Sequence, residues 1–166
     1  MSAPHEFYLG LGSNIEPEAN LAKAISRLGE HGEVQRFSSV WESQAVGSTG
    51  PNFLNLCIQF TAKENEQELK RQVLGPIETG LGRVRTGDRN APRTIDLDML
   101  LADGVPVGPN RWAHAFVLVP LAELLPNFLH PLSGKPLAAA AAEAQAQTWI
   151  MRRPAVLQMI KPPTNT

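Results

Sequence analysis

Two aspartates, Asp96 and Asp98, stand two residues apart in the apolar segment TIDLDMLLA at residues 94–102. Side chains alternate along a β-strand, so both carboxylates of a strand here would point to one face, with Cα atoms about 6.5 Å apart. Neighbouring carboxylates repel each other unless a cation is close, and Mg²⁺ is commonly held by one or two carboxylates together with substrate phosphates. The pair therefore predicts a magnesium site; two acids on a solvated strand face are the simpler alternative.

The segment just ahead of the pair is rich in arginine. Residues 82–93 contain four arginines, Arg83, Arg85, Arg89 and Arg93. Guanidinium groups bind phosphate oxygens bidentately, and a metal ion on the carboxylates would bridge the same phosphates. The two segments together predict a polyphosphate site beneath a loop that closes over a nucleotide. A solvated basic loop or a weak RNA contact is the alternative, but the sequence has no RNP-like aromatic pattern.

The usual phosphate-binding fingerprints are absent from the sequence. GLGSNI at residues 10–15 begins like G-x-G-x-x-G, but its sixth position is Ile15, and G-x-x-x-x-G-K-[ST] occurs nowhere. A Rossmann or P-loop enzyme is therefore not expected.

Hydrophobic periodicity predicts the elements that must position these residues. β-Strands are predicted over residues 7–13, 33–43, 53–62 and 94–102. Helices are predicted over residues 19–28 and 65–82, and loops over 45–52 and 82–93. The order strand, helix, strand, strand, helix, strand is typical of an α+β fold, a ferredoxin-like βαββαβ sandwich, here with extra C-terminal elements.

Two details of these elements are open to test. Gly75–Pro76 should kink or interrupt the second helix, because proline lacks the amide hydrogen of a helical turn. Strict alternation within residues 33–43 would put Phe37 and Trp41 on one face of the strand and Val34 on the other.

Length and composition restrict the possible classes of protein. The 166 residues fit one domain, expected over residues 1–160 and followed by a disordered tail at 161–166. The formal net charge of −1 argues against nucleic acid or an anionic membrane as a partner. The single cysteine, Cys57, excludes an intramolecular disulfide and fits a reducing compartment. No signal peptide or spanning segment is recognised, so we expect a cytoplasmic protein. We also expect a monomer.

The chain resembles the 6-hydroxymethyl-7,8-dihydropterin pyrophosphokinase family. The matching segments are LGLGSNI at 9–15, FLN at 53–55, GRVR at 82–85, APRTIDLDMLL at 91–101, FVLVPLAELLP at 116–126 and HPLSGKPL at 130–137. P-R-x-x-D-x-D followed by apolar residues is the most specific of them. The resemblance implies the ferredoxin-like fold and transfer of diphosphate from ATP to the pterin alcohol in folate biosynthesis, giving AMP and the pterin diphosphate.

The resemblance also implies roles for individual residues. The expected catalytic residues are Arg83, Arg93, Asp96 and Asp98, and the two aspartates would hold two Mg²⁺ ions. The expected ATP-binding residues are Glu78, Arg85, Arg89, Arg111 and His114. The expected pterin-binding residues are Ser43, Ala45, Val46, Phe53, Asn55 and Phe116.

Physical chemistry supports the pterin-binding expectation separately. A flat heteroaromatic ring is held well between two aromatic faces, although ordinary core packing of Phe53 and Phe116 is the alternative. Asn55 lies in an otherwise apolar strand, where a buried amide must find partners, and it offers donors and an acceptor in one plane. None of the four histidines has a neighbour that marks it as a general base.

The sequence departs from the family pattern mainly on the ATP side. The segment at residues 102–121 is shorter than usual and lacks the family's Pro-His pair, and Gly75 replaces a polar helix residue. Gln44 and Ala45 replace prolines that are common in the pterin-binding loop. These differences predict catalysis with weaker ATP affinity. A non-catalytic or weakly active pterin- or nucleotide-binding paralogue is the alternative.

Overall fold

The computed structural model describes residues 3–47, 49–84, 87 and 91–162. The predictions for Arg85, Arg89 and the last four residues of the tail therefore lie outside the described residues. The strands are β1 His5–Ser13, β2 Gly32–Phe37, β3 Trp41–Ser43, β4 Phe53–Ala62, β5 Asp96–Ala102, β6 Val105–Pro106 and β7 Ile150–Arg152. The α-helices are α1 Pro17–Leu28, α2 Glu66–Leu69, α3 Gly75–Gly80, α4 Ala115–Leu124, α5 Leu137–Gln147 and α6 Pro154–Ile160.

The described strands form one sheet with the order β6-β5-β1-β4-β3-β7, and β2 pairs with β4 beside β3. Every pairing is antiparallel. The two central strands, β1 and β4, are apolar on both faces, because helices cover the sheet on both sides. The chain is thus a mixed α/β protein built on an antiparallel sheet.

Two hydrophobic cores lie on opposite faces of this sheet. The first packs the sheet against α1, the helix at residues 66–80 and α6; the second packs it against α4 and α5. Leu97 and Met99 of β5, and Ile95 just before it, are buried in the first core, as the alternation of side chains predicts. Asp96 and Asp98 consequently point to the α4 side, where Leu100 joins the second core.

The predicted strand over residues 33–43 is wrong as a single element, because it divides into β2 and β3. Ser38 takes the place of a regular ladder residue: its amide donates to the Cys57 carbonyl at 2.8 Å, and its hydroxyl accepts from the Cys57 amide at 2.8 Å. The register within β2 also shifts between Val34 and Arg36. This register shift is a β-bulge, in which β2 has one more residue than the paired part of β4. Val34 and Phe37 therefore both pack against the first core, contrary to strict alternation.

The helix predicted over residues 65–82 is interrupted at Gly75–Pro76, as expected. Asn65 caps its start, since its side chain accepts from the Glu68 amide at 2.9 Å. Residues Lys70–Leu74 form a π-helical turn, in which the Gly75 amide donates to the Lys70 carbonyl. This wider turn accommodates Pro76, which has no amide hydrogen to donate, and α3 then continues to Gly80.

The remaining elements surround this framework. Helix α1 begins at Pro17 and buries the predicted face, which consists of Leu21, Ala24, Ile25 and Leu28. A 3₁₀-helix at Pro109–Ala113 precedes α4. No helix within the described ranges has the length and apolar character needed to cross a lipid bilayer.

Candidate active site

Two cavities meet at the start of β5. The inner cavity lies over β1 and β4 and is closed by α4; the outer groove lies between the helix at residues 66–80, β5 and the segment at 111–117. The residues that line both are Arg93, Asp96, Asp98, Phe116 and Val117. A molecule in one cavity would therefore meet a molecule in the other beside the two carboxylates.

Glycines form the floor of the inner cavity. Gly12 of β1 pairs with Asn55 on one side and Asp96 on the other, and Gly10 pairs in the same way with Cys57 and Asp98. The two missing side chains leave a trough that runs across three strands from the amide to the carboxylates. The sequence did not predict this use of G-x-G as a cavity floor, although the motif was named as an incomplete nucleotide fingerprint and as a segment that matches the family.

The space over Gly12 is limited by Asn55. A Cβ atom at Gly12 would lie 3.0 Å from Asn55 Oδ1, and one at Gly10 would lie 3.4 Å from Leu100 Cδ1. The Asn55 amide is held in place, because its Nδ2 donates to Ser43 Oγ at 2.8 Å and to the Trp41 carbonyl at 3.4 Å. Among the described residues, nothing donates to its Oδ1, which leaves this oxygen available to a ligand in the cavity.

The walls of the inner cavity bring together most of the residues predicted to bind a pterin. Five of the six predicted residues line it, namely Ser43, Val46, Phe53, Asn55 and Phe116, and so does Gln44, which was not among those predicted. Ala45, also predicted, is not among the described residues that line it. The imidazole of His114 stacks on the Phe116 ring, with centroids 5.0 Å apart and planes 13° from parallel.

Arginines surround the two carboxylates. Asp96 Oδ2 lies 2.9 Å from Arg93 Nη1, and its Oδ1 lies 3.4 Å from Arg83 Nη2. Asp98 Oδ1 lies 3.6 Å from Arg111 Nη1. Arg83 and Arg93 therefore both contact Asp96, while Arg111 pairs with Asp98 and extends the cluster towards the outer groove.

The ionised form of Asp98 is disfavoured in spite of the surrounding arginines. Burial, and next the neighbouring Asp96 carboxylate, raise the pKa of Asp98 to about 6, against the opposing effect of Arg111, Arg93 and Arg83. A divalent cation would favour the ionised carboxylate, and each carboxylate oxygen has a second lone pair to offer it. Within the described residues no third acidic, histidine or cysteine ligand joins the pair, so water or substrate oxygens would complete the coordination, as Mg²⁺ allows.

Glu78 is buried behind the arginine cluster. Its Oε2 accepts from the Leu97 amide at 3.0 Å and lies 3.4 Å from Arg83 Nε, while its carbonyl accepts from the Arg83 amide at 3.0 Å. Glu78 also lines the outer groove. These contacts fix Arg83 relative to the start of β5.

Asn14 is a site residue that the sequence analysis missed. Its Oδ1 accepts from the Arg93 amide at 2.7 Å, its Nδ2 donates to the Pro51 carbonyl at 3.1 Å, and its own amide donates to the Arg93 carbonyl at 3.1 Å. Asn14 therefore joins Arg93 to the end of the loop at residues 44–52. Its position in GLGSNI, directly after β1, was the available signal.

Arg111 and His114, both predicted to bind ATP, line the outer groove. They belong to the short segment that includes the 3₁₀-helix, and buried His130 supports it from behind. The Nδ1 atom of His130 accepts from the Leu132 amide at 3.1 Å, so its Nε2 is the donor to the Trp112 carbonyl at 3.0 Å. Lys70 and Gly75 line the same groove from the opposite side.

Comparison with known proteins identifies the class of enzyme and then the family. Residues 8–126 match the model of the 7,8-dihydro-6-hydroxymethylpterin-pyrophosphokinase (HPPK) family. Proteins named 2-amino-4-hydroxy-6-hydroxymethyldihydropteridine pyrophosphokinase are similar: that of Synechocystis sp. is 36% identical over 79% of this chain and 72% of its own length. The protein of that name from Aquifex aeolicus is 34% identical over 78% of this chain and 86% of its own length. The class is thus the pyrophosphokinases, ATP-dependent diphosphotransferases, and the chain belongs to the HPPK family, as its sequence motifs predicted.

The solved HPPK-DHPS structure of Plasmodium falciparum supports the fold. This structure superposes on the present chain with a TM-score of 0.65 at 10% sequence identity, and the superposition covers 87% of this chain and 46% of the Plasmodium falciparum chain. This chain therefore spans less than half of that protein, and at this identity the likeness concerns the fold alone.

Proposed function

We propose that this chain transfers the β,γ-diphosphate of ATP to the hydroxymethyl oxygen of 6-hydroxymethyl-7,8-dihydropterin in folate synthesis. The substrate oxygen forms a bond to the β-phosphorus, the bond from that phosphorus to the α,β-bridging oxygen breaks, and AMP leaves with the electron pair. The hydroxyl proton passes to solvent. The observation that carries the proposal is that Asp96 and Asp98 line both cavities, where the two reacting groups would meet.

The inner cavity is the proposed pterin site. Asn55 Oδ1 lies in the largely apolar part of this cavity, so it suits an N–H donor on the edge of a pterin ring. Phe53 and Phe116 both line this space and would flank the ring. Ser43 orients the amide, while Ala45 and Val46 belong to the loop at the rim.

The outer groove is the proposed ATP site. Arg83, Arg93 and Arg111 lie around the carboxylates, so their guanidinium groups can engage a triphosphate bidentately. His114 lines the same groove, and Glu78 acts by holding Arg83. We keep Arg85 and Arg89 as proposed ATP contacts from the family resemblance, since both lie outside the described residues.

Asp96 and Asp98 are the proposed ligands of two Mg²⁺ ions. Their shared strand face and the raised pKa of Asp98 suit hard divalent cations. Bound there, the ions would neutralise charge that builds on the oxygens of the transferred group. The arginines would then exchange their carboxylate contacts for phosphate oxygens, which guanidinium groups also bind bidentately.

We further propose the ferredoxin-like arrangement for one domain over residues 1–160. The strand order β5-β1-β4-β2, with helices between β1 and β2 and between β4 and β5, supports it. The lone cysteine, which is free, supports a cytoplasmic location, and we also propose a monomer. The net charge of −1 supports small molecules rather than nucleic acid or membranes as partners.

The non-catalytic alternative is not favoured by the family match. The charged residues of the signature segment are all present, and Arg111 and His114 line the groove although the Pro-His pair is missing. Gly75 offers only backbone where the family has a polar side chain. We therefore retain the proposal of weaker ATP affinity with catalysis preserved.

An AMP-release assay tests the proposed function. The purified chain is mixed with Mg-ATP and 6-hydroxymethyl-7,8-dihydropterin, and AMP is quantified with and without the pterin. We expect AMP to form in equal amount to pterin diphosphate, and to fall to background when the pterin is omitted or EDTA is added. Formation of ADP instead of AMP, or no pterin-dependent AMP, would overturn the proposal.

A further inference from the structure

The loop at residues 44–52 determines the rim of the inner cavity. It joins β3 to β4 and lines the cavity through Gln44 and Val46. Its last residue, Asn52, directly precedes Phe53, which also lines the cavity. The position of Asn52 therefore affects both the loop and the first aromatic wall.

A bridge of three side chains fixes Asn52. Its Nδ2 donates to Glu42 Oε2 at 2.9 Å, and Arg153 Nε donates to Glu42 Oε1 at 3.0 Å. Each carboxylate oxygen thus holds a different partner, one in the loop and one near the C-terminus. The hydrogen bond from Asn52 and, after it, the contacts from Arg153 lower the pKa of Glu42, while burial opposes them.

Arg153 is itself held by the main chain. Its amide donates to the Val40 carbonyl at 2.8 Å, and the preceding strand β7 pairs with β3 at three positions, including Ser43 with Ile150. Ser43 is the residue that orients the Asn55 amide. The C-terminal strand is thus anchored beside the same residues that shape the inner cavity, although it lies beyond the family match at 8–126.

We propose that Arg153 is a positioning residue for pterin binding: from the C-terminal strand it orients Glu42, which in turn holds Asn52 and the loop in the binding arrangement. The inference rests on the proposed function, because it assigns the pterin to the inner cavity. Arg153 touches no residue of the carboxylate cluster, so its effect falls on pterin affinity and leaves the phosphate chemistry unchanged.

The expected size of the effect follows from the exposure of the bridge. A partly exposed ion pair stabilises an arrangement by up to about 1 kcal/mol, which corresponds to roughly a fivefold population change. Apparent affinity falls in proportion to the fraction of molecules in the competent arrangement. Loss of Arg153 should therefore raise the pterin Kd and KM about threefold to fivefold, with kcat within twofold of wild type.

Arg153→Ala is compared with Arg152→Ala as a matched control. Arg152 is the neighbouring arginine of β7, it is exposed, and its side chain makes no ion pair with the described residues. Pterin Kd is measured by isothermal titration calorimetry with a non-hydrolysable ATP analogue and Mg²⁺ present, and KM and kcat by AMP release. Thermal unfolding of each variant reports on any general loss of stability.

A double-mutant cycle tests whether Arg153 acts through Glu42. We expect Glu42→Ala to raise the pterin Kd at least as much as Arg153→Ala, and the double variant to be no worse than Glu42→Ala alone. Arg153→Lys, which keeps one charged donor, should recover part of the affinity. The ratio of the pterin Kd of Arg153→Ala to that of wild type should become smaller when the salt concentration is raised from 50 mM to 500 mM, because salt screens the ion pair between Arg153 and Glu42.

The outcomes separate the inference from the function on which it rests. Wild type that binds no pterin contradicts the proposed function. If wild type binds pterin and both Arg153→Ala and Arg152→Ala bind it with the same Kd, the positioning role is overturned while the proposed function stands. Additive effects in the cycle, or equal losses in kcat and pterin affinity, would also overturn it.

Discussion

The inner cavity and the outer groove meet at the same two carboxylates but are stabilised by opposite means. Apart from Arg93, Asp96 and Asp98, which it shares with the outer groove, the inner cavity is neutral. Its floor is glycine backbone, the Asn55 amide is fixed by Ser43, and burial raises the pKa of the Cys57 thiol so that it stays uncharged. The outer groove is charged, and its carboxylates and guanidinium groups are one another's partners.

This difference indicates how each cavity would respond to its ligand. A neutral ring can enter the inner cavity without displacing any ion pair, so shape and one free acceptor decide its affinity. A polyphosphate in the outer groove must take over guanidinium groups that already contact Asp96 and Asp98. Variants of the shared carboxylates should therefore affect chemistry most, and variants of the neutral walls should affect pterin affinity.

The largest effect is expected for Asp98→Ala. Removing a carboxylate that holds cations beside the transferred phosphoryl group should lower kcat by about a thousandfold or more, since electrostatic stabilisation of that charge is lost. AMP release measures the effect, and circular dichroism checks that the protein is folded. Asp103→Ala is the matched control, because Asp103 is exposed beyond the end of β5 and pairs with His5. Activity of Asp98→Ala within a few-fold of wild type would refute the metal-holding role.

A smaller loss is expected for Arg93→Ala. Arg93 contacts Asp96 and lines both cavities, so its loss should lower kcat about a hundredfold while the pterin Kd changes only a few-fold. Steady-state kinetics and pterin titration give the two numbers separately. Equal losses in rate and pterin affinity would mean that Arg93 only positions the substrate.

Phe116→Ala tests the role of an uncharged wall of the inner cavity. Removal of one aromatic wall should raise the pterin KM about tenfold, whereas kcat should stay close to wild type. The same kinetic assay with saturating ATP measures both values. A fall in kcat with unchanged KM would place Phe116 on the chemical step instead of in ring binding.

The smallest effect concerns stability and its pH dependence. Since the folded-state pKa of Asp98 is raised to about 6 from 3.8, the charged carboxylate destabilises the folded protein above pH 6, and this cost disappears as the pH falls towards 3.8. Asp98→Asn should therefore stabilise the protein by about 1 kcal/mol at pH 8 in EDTA, a value reduced for partial solvent exposure. Urea unfolding of both proteins at pH 8 and pH 4.5 measures this difference in the free energy of unfolding. A stabilisation by Asp98→Asn that is larger at pH 4.5 than at pH 8 would contradict the predicted direction.

Much of the framework was predictable because its signals are local. The apolar runs of β1 and β4 and the alternation of Ile95, Asp96, Leu97 and Asp98 each specify a strand and its buried face. The interruption at Gly75–Pro76 likewise follows from the chemistry of proline. These features need no knowledge of which segments become neighbours.

Other features depend on contacts between distant residues. The break between β2 and β3 arises because Ser38 bonds Cys57, and the role of Asn14 arises because Arg93 and Pro51 lie beside it. The bridge from Arg153 to Glu42 joins residues 111 positions apart. Neither propensity nor spacing contains this information, so the sequence predicted most of the charged residues that line the cavities but not Asn14 or Arg153.

The central claim is that Asp96 and Asp98 hold divalent cations that anchor the nucleotide phosphates. Titration of Mn²⁺ in the presence of a non-hydrolysable ATP analogue, followed by electron paramagnetic resonance, tests it directly on wild type and Asp96→Asn/Asp98→Asn. We expect wild type to bind more Mn²⁺ than the analogue alone carries and the double variant to lose the additional ions. Equal Mn²⁺ binding by the two proteins would contradict the claim.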